Sequence, residues 1–302
     1  NRIPDKSLKI YVGSYVVPED RENTLLDNYY EKVFVKGNLE YMTERQLEKD
    51  GPMLIDIDLR YSTSVTERKH TDDHVVDLVF LHMEKLAEIV TIPVGCDINV
   101  YILQKQSVNV LDNKTKDGIH IIIGLKVHKA VQSMVRERVL TEIGELWSDL
   151  PIENTWDEVI DEGVAKGHVN WKMYGSRKPG HEAYMIHKQY LMDWDGNNWD
   201  IKRTIEKDSF NTKDNLLKLC ARCRIHPETS IKEESKREFD EACRGLSRKV
   251  SKQNISPAIA YKPRKSGLIR YDLIDSEEAL DQLIEDMFDS ISPADYKIKE
   301  TH

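Results

Sequence analysis

Hydrophobic and polar positions alternate between two rhythms along the first two-thirds of the chain. Residues 53–58, MLIDID, read as a strand, in which successive side chains point to opposite faces. Residues 73–90, DHVVDLVFLHMEKLAEIV, instead repeat apolar positions at three- and four-residue intervals, the period of a helix with one buried stripe. INVYIL (98–103) and IHIIIG (119–124) are two further strands, separated by the polar loop DNKTKDG. Val131, Met134, Val135, Ile143, Leu146 and Trp147 fall along one side of a single helix predicted over 128–150. Short strands are predicted at NWKMYG (170–175) and EAYMIHKQYL (182–191). Strands and helices interleaved in this way predict an α/β (α+β) domain.

Near residue 210 the rhythm changes: strand patterns thin out, charge rises, and DNLLKLCARCRI (214–225) and EEALDQLIEDMF (277–288) read as helices. The chain therefore divides into a domain over 1–210 and a mostly helical region over 211–302. Composition fits a soluble globular protein, with 39% hydrophobic and 32% charged residues among 302. No apolar run approaches the roughly 20 residues of a spanning helix, and the N-terminus lacks a signal-peptide pattern. Four cysteines are too few for a disulfide framework in a chain this long, which predicts an intracellular, reducing setting. The net charge of -9 conceals an asymmetry. Residues 213–265 carry 14 Lys and Arg against 7 Asp and Glu, whereas residues 271–302 carry 2 against 10. A basic segment before an acidic tail suits nucleic-acid contact, intramolecular pairing or a solvated helical surface.

Three sites change this picture. Asp56 and Asp58 stand two apart in an otherwise apolar strand, so both point to one face. Like charges held that close need a cation between them, and paired acids suit Mg²⁺ or Mn²⁺; a solvated turn is the competing reading. In KTKDGIHIIIG, Lys116 and His120 share a face with Gly118 between them, leaving room for a ligand such as a phosphate. In residues 159–184, Asp161 follows two apolar residues and offers a third acid, while Lys172, Arg177 and Lys178 surround a Gly-containing turn suited to a polyphosphate or simply exposed to water. Gly175 and Gly180 have Walker A spacing, but His181 stands where the lysine must be. Cys220, Cys223, His226 and Cys243 include enough ligand types for zinc, yet Leu216, Leu217 and Leu219 place them in an apolar helix, so structural cysteines are the favoured reading.

In this order the three sites resemble the catalytic motifs of the archaeo-eukaryotic primase superfamily. The third block is the most specific: Ile160-Asp161, Val164, Asn170, Trp171, Lys172, Tyr174, Ser176 and Lys178 look like the primase domain of large-DNA-virus, poxvirus-type primase-helicases. The resemblance covers about residues 50–190 and implies an RRM-like catalytic sheet. It further implies a DNA primase or primer polymerase that uses a single-stranded DNA template and nucleoside triphosphates by a two-metal mechanism in viral replication, at sites in the host cytoplasm. Asp56, Asp58 and Asp161 would hold the metals, and His120 and Lys116 would meet the nucleotide's phosphates. Lys178 would hold the triphosphate tail, Asn170 and Lys172 would line the pocket, and Gly118, Ser176 and Arg177 would belong to the same nucleotide-binding set. Gly118 stands where Ser is frequent, and Ala165 where an aromatic is common, which bears on nucleotide preference. The missing Walker A and the acidic C-terminus predict a helicase domain farther along the polypeptide, through which the protein would oligomerise. A metal-dependent nuclease using the same acids, or a non-catalytic single-strand-binding module, are the alternatives.

Overall fold

A computed structural model describes residues 1–3, 5, 7 and 16–253, with side chains through 246. Helix α1 spans Glu22–Tyr30. Strand β1, Gly51–Tyr61, leads to helix α2, Asp72–Ile89, whose start is fixed by a reciprocal cap between Thr71 and His74. Strands β2, Ile98–Gln104, and β3, Thr115–Val127, follow, then helix α3, Lys129–Leu140. Strands β4, Met185–Trp194, and β5, Trp199–Glu206, form a hairpin, and helix α4 covers Lys236–Gln253. The five long strands make one antiparallel sheet in the order β1-β3-β2-β4-β5, with Asn109–Val110 added as a sixth strand beside the start of β3.

Alternation assigns the two faces of this sheet to different tasks. Ile55, Ile57 and Leu59 of β1, Ile119, Ile121 and Ile123 of β3 and Val100 and Ile102 of β2 pack against the apolar stripes of α2 and α3. The intervening residues face the other way. There Leu54, Ile122, Tyr101 and Leu103 join a second core with Tyr29 of α1, Trp171, Met173, Tyr174 and Tyr184. That second layer is short and irregular, so it covers only part of the sheet.

Several predicted elements take a different form. The helix expected over 128–150 stops at Leu140 and resumes only as the turn Ile143–Leu146, because Thr141 folds its hydroxyl back onto the Arg138 carbonyl. The expected loop 112–118 is half strand, since β3 already begins at Thr115. NWKMYG supplies just a two-residue strand, Trp171–Lys172, paired with Thr43–Glu44. The predicted helix at 214–225 is broken into Thr212–Asn215 and a 3-10 turn, Leu217–Leu219, because Leu216, Leu219 and Ala221 all turn into the second core. Ser230–Ile231 pairs with Val90–Thr91, so the chain past 210 packs on the same body. The helix expected at 277–288, and the acidic tail with it, lie outside the described residues. No helix among the described residues is long and apolar enough to cross a membrane.

Candidate active site

Register brings the first two sequence motifs together. In the β1–β3 pair Asp56 stands opposite His120 and Asp58 opposite Gly118, so all four occupy the sheet face opposite α2 and α3. The third motif is stitched to the same strand. Ile160 bridges Ile57, and the Asp161 N–H donates to the Asp56 carbonyl at 3.0 Å. Arg136 of α3, 2% exposed, fixes that segment from behind: its Nε donates to the Ile160 carbonyl at 2.8 Å and its Nη2 to Asp157 Oδ1 at 2.9 Å. Asp161 then caps the short helix Glu162–Ala165, one carboxylate oxygen accepting from the Val164 N–H at 2.7 Å.

Three lysines converge on these acids. Lys172 and Lys178 both act electrostatically on Asp56, and Lys105, just past the end of β2, is drawn toward Asp58, Asp117 and Asp56. Burial and then the Asp58 charge push the Asp56 carboxyl up to about 7, against the pull of Lys172. Lys172 and Lys105 are each held below the ordinary lysine range, first by burial, with Lys178 adding repulsion. His120 is 2% exposed, and burial followed by the three lysines keeps its imidazole neutral. Its ring stacks on Tyr184 at 3.6 Å between centroids and lies 4.4 Å from Trp171. The Lys105 and Lys172 ammonium groups sit 5.0 and 5.5 Å from the Tyr184 ring centroid.

The remaining residues singled out in the sequence are spread more widely. Lys116 is exposed at the start of β3, opposite Arg60, and contributes with Lys105 and Lys178 to the potential at His181. Asn170 is also exposed and donates to Thr43 Oγ1 at 3.4 Å. Arg177 lines a cleft beside Lys105 and Arg68. Ser176, expected in the nucleotide pocket, is 2% exposed; its hydroxyl accepts from the Met42 N–H at 3.1 Å and shares a 2.8 Å hydrogen bond with the Tyr29 hydroxyl. It therefore holds the scaffold behind the lysine-bearing turn. Just before it Gly175 has φ +85°, and a Cβ there would lie 2.7 Å from Phe34.

Sequence reading missed Lys105, Tyr184 and a supporting network. Arg68 donates to the Asp117 carboxylate at 2.9 and 3.1 Å, to Gln104 Oε1 at 2.7 Å and to the Lys105 carbonyl at 2.9 Å. Asp117 in turn accepts from the Gly118 N–H at 2.9 Å. This network ties β2 to β3 beside the acids. A cation directly after an apolar strand was the one available hint to Lys105.

The acids suit a divalent cation. Asp56 Oδ1 is sealed from solvent without a hydrogen-bond partner, and so is His120 Nε2, 3.4 Å away but poorly aligned. Two adjacent carboxylates, one with a buried oxygen that no hydrogen bond satisfies, are the oxygen donors a hard cation takes, although among the described residues no three His, Cys, Asp or Glu side chains are already grouped as a metal site. Of the zinc-type side chains, Cys220 and Cys223 sit together on a buried turn, His226 packs against Gly124, and Cys243 lies on α4 near Glu48.

Comparison with known proteins bears on the domain as a whole. No curated protein matches the chain. A family model described as the C962R protein N-terminal AEP domain, AEP being archaeo-eukaryotic primase, matches residues 4–190. Domains of this kind carry out nucleotidyl transfer of the primase and polymerase type. With more than half of its 302 residues inside that match, and a mixed α/β sheet consistent with that fold, the chain belongs to the archaeo-eukaryotic primase family of C962R-type N-terminal domains.

Proposed function

We propose that the domain is a DNA primase or primer polymerase, joining nucleotides on a single-stranded DNA template with Mg²⁺ or Mn²⁺, and that it serves viral DNA replication. The observation that carries this reading is the meeting of Asp56, Asp58 and Asp161 with Lys105, Lys172 and Lys178 on the sheet face opposite α2 and α3. Asp56 and Asp58 would hold the cations, with the uncommitted oxygen of Asp161 beside them. When bound, the ions supply Lewis-acid activation of the attacking hydroxyl and stabilise the leaving pyrophosphate. Lys105, Lys172 and Lys178 repel one another until an anion lies among them, so a triphosphate relieves their crowding as it enters. Neutral His120, clamped by Tyr184 and Trp171, offers a fixed imidazole edge toward Asp56.

Incubation with single-stranded template, nucleotides and Mn²⁺ or Mg²⁺, followed by sizing of the products, tests the proposal. New oligonucleotides from the wild type and none from Asp56→Ala support it. Shortened template would identify a nuclease instead. Template binding that ignores both divalent ions and Asp56→Ala, with a steep salt dependence, would identify a binding module.

A further inference from the structure

Gly118 stands where a side chain would collide with another residue. A Cβ at this position would lie 2.5 Å from the Tyr184 hydroxyl and 3.0 Å from the Ile57 carbonyl. The phenol therefore fills the space above residue 118, on the same face as Asp58, its cross-strand partner. Tyr184 is held there firmly. Its ring lies on His120 at an angle of 15°, it is 8% exposed, and it is flanked by the Lys105 and Lys172 ammonium groups. Its hydroxyl, by contrast, makes no hydrogen bond to the described residues. A firmly held O–H group over Gly118, the cross-strand partner of Asp58, on a ring flanked by two lysines and without a hydrogen-bond partner among the described residues, is suited to a ligand oxygen.

We infer that the Tyr184 hydroxyl is a hydrogen-bond donor to a phosphate oxygen of the bound nucleoside triphosphate, and that residue 118 is glycine because the phenol needs its space. The inference rests on the polymerase reading above, since that reading places a triphosphate among the three lysines. It assigns to a residue from β4's approach the contact that a hydroxyl-bearing residue at 118 would otherwise make. Lys105 and Lys172 gather the charge, and Tyr184 fixes one oxygen by direction. The glycine and the tyrosine form one device, and neither substitution acts independently of the other.

The test is calorimetric binding of a non-hydrolysable nucleoside triphosphate with Mg²⁺, on wild type, Tyr184→Phe, Gly118→Ala and the double variant, alongside primer extension and melting. Tyr184→Phe keeps the ring and removes only the hydroxyl, so melting stays at the wild-type temperature while Kd and KM rise about tenfold and kcat changes little. Gly118→Ala displaces the phenol, weakens binding to a similar degree and lowers the melting temperature. In the double variant the methyl group occupies the vacated space, so binding is no weaker than in Tyr184→Phe and part of the melting temperature returns. Equal affinities for wild type and Tyr184→Phe overturn the inference, as do losses that multiply in the double variant. A wild type that binds triphosphate through Tyr184 yet never extends a primer leaves the inference standing and removes the polymerase reading; a wild type that binds no triphosphate removes both.

Discussion

The two faces of the central sheet are written by the same strands in alternation, yet they obey opposite rules. On the helix-covered face Ile57, Ile119 and Ile121 are wholly excluded from water and each gains free energy by being there. On the other face the neighbours of these residues, Asp56, Gly118 and His120, hold a desolvated carboxylate, a missing side chain and an unpaired imidazole. The first face stabilises the protein throughout; on the second, beside a smaller apolar core, these positions are costly until something binds. A single strand thus carries a stabilising residue and a costly one side by side, and substitutions one position apart separate the two roles.

The largest expected effect breaks the second face alone. Asp56→Ala or Asp161→Ala lowers nucleotide incorporation by roughly a thousandfold or more, while the melting temperature of Asp56→Ala in the absence of divalent ions stays level or rises. Primer synthesis retained in either variant would contradict the assignment. One residue along, Ile57→Ala should cost about 2–5 kcal/mol in denaturant unfolding and lower activity only as the folded fraction falls.

Arg68 tests the seam between the faces. Its loss leaves the fully shielded Asp117 carboxylate without its cationic partner, at a cost of about 3 kcal/mol, and frees the Lys105 backbone, so KM for nucleotide rises as well. Unchanged stability in Arg68→Ala would show that Asp117 finds another partner.

The smallest effect is a pH dependence on the covered side. Lys129 of α3 is 3% exposed, bonded to the amide oxygens of Gln46 and Gln132, and burial pushes its pKa down to about 7. Unfolded, it titrates near 10.5, so between those values the unfolded chain binds the extra proton and stability rises with pH. Wild type should gain about 1 kcal/mol relative to Lys129→Met for each pH unit above 7. A flat difference between the two proteins from pH 7 to 9 would place the ammonium in a better-solvated setting.

What the sequence made legible follows the same division. Period-two alternation identified β1 and set Asp56 and Asp58 on one face, and helical spacing identified α2, because both signals are local. Strand β5 escaped notice because an edge strand, largely exposed in WDIKRTIE, carries little apolar signature. Lys105, Tyr184 and Arg68 were hidden for a different reason: their place depends on which strands pair and in what register, and no spacing along the chain encodes that. The surroundings of Ser176 were hidden in the same way, since its hydroxyl answers to Tyr29 and Met42, more than a hundred residues earlier.

The pairing of Ser230–Ile231 with Val90–Thr91 bears on where this protein can be cut. A fragment ended at residue 190, the limit of the family match, would sever β4 in mid-strand and strip β5 from it. One ended at 210 would remove Leu216, Leu219 and Ala221 and uncover Met173 and Tyr174, with which they share a core beside the lysine turn. The smallest piece worth expressing therefore runs past Ile231.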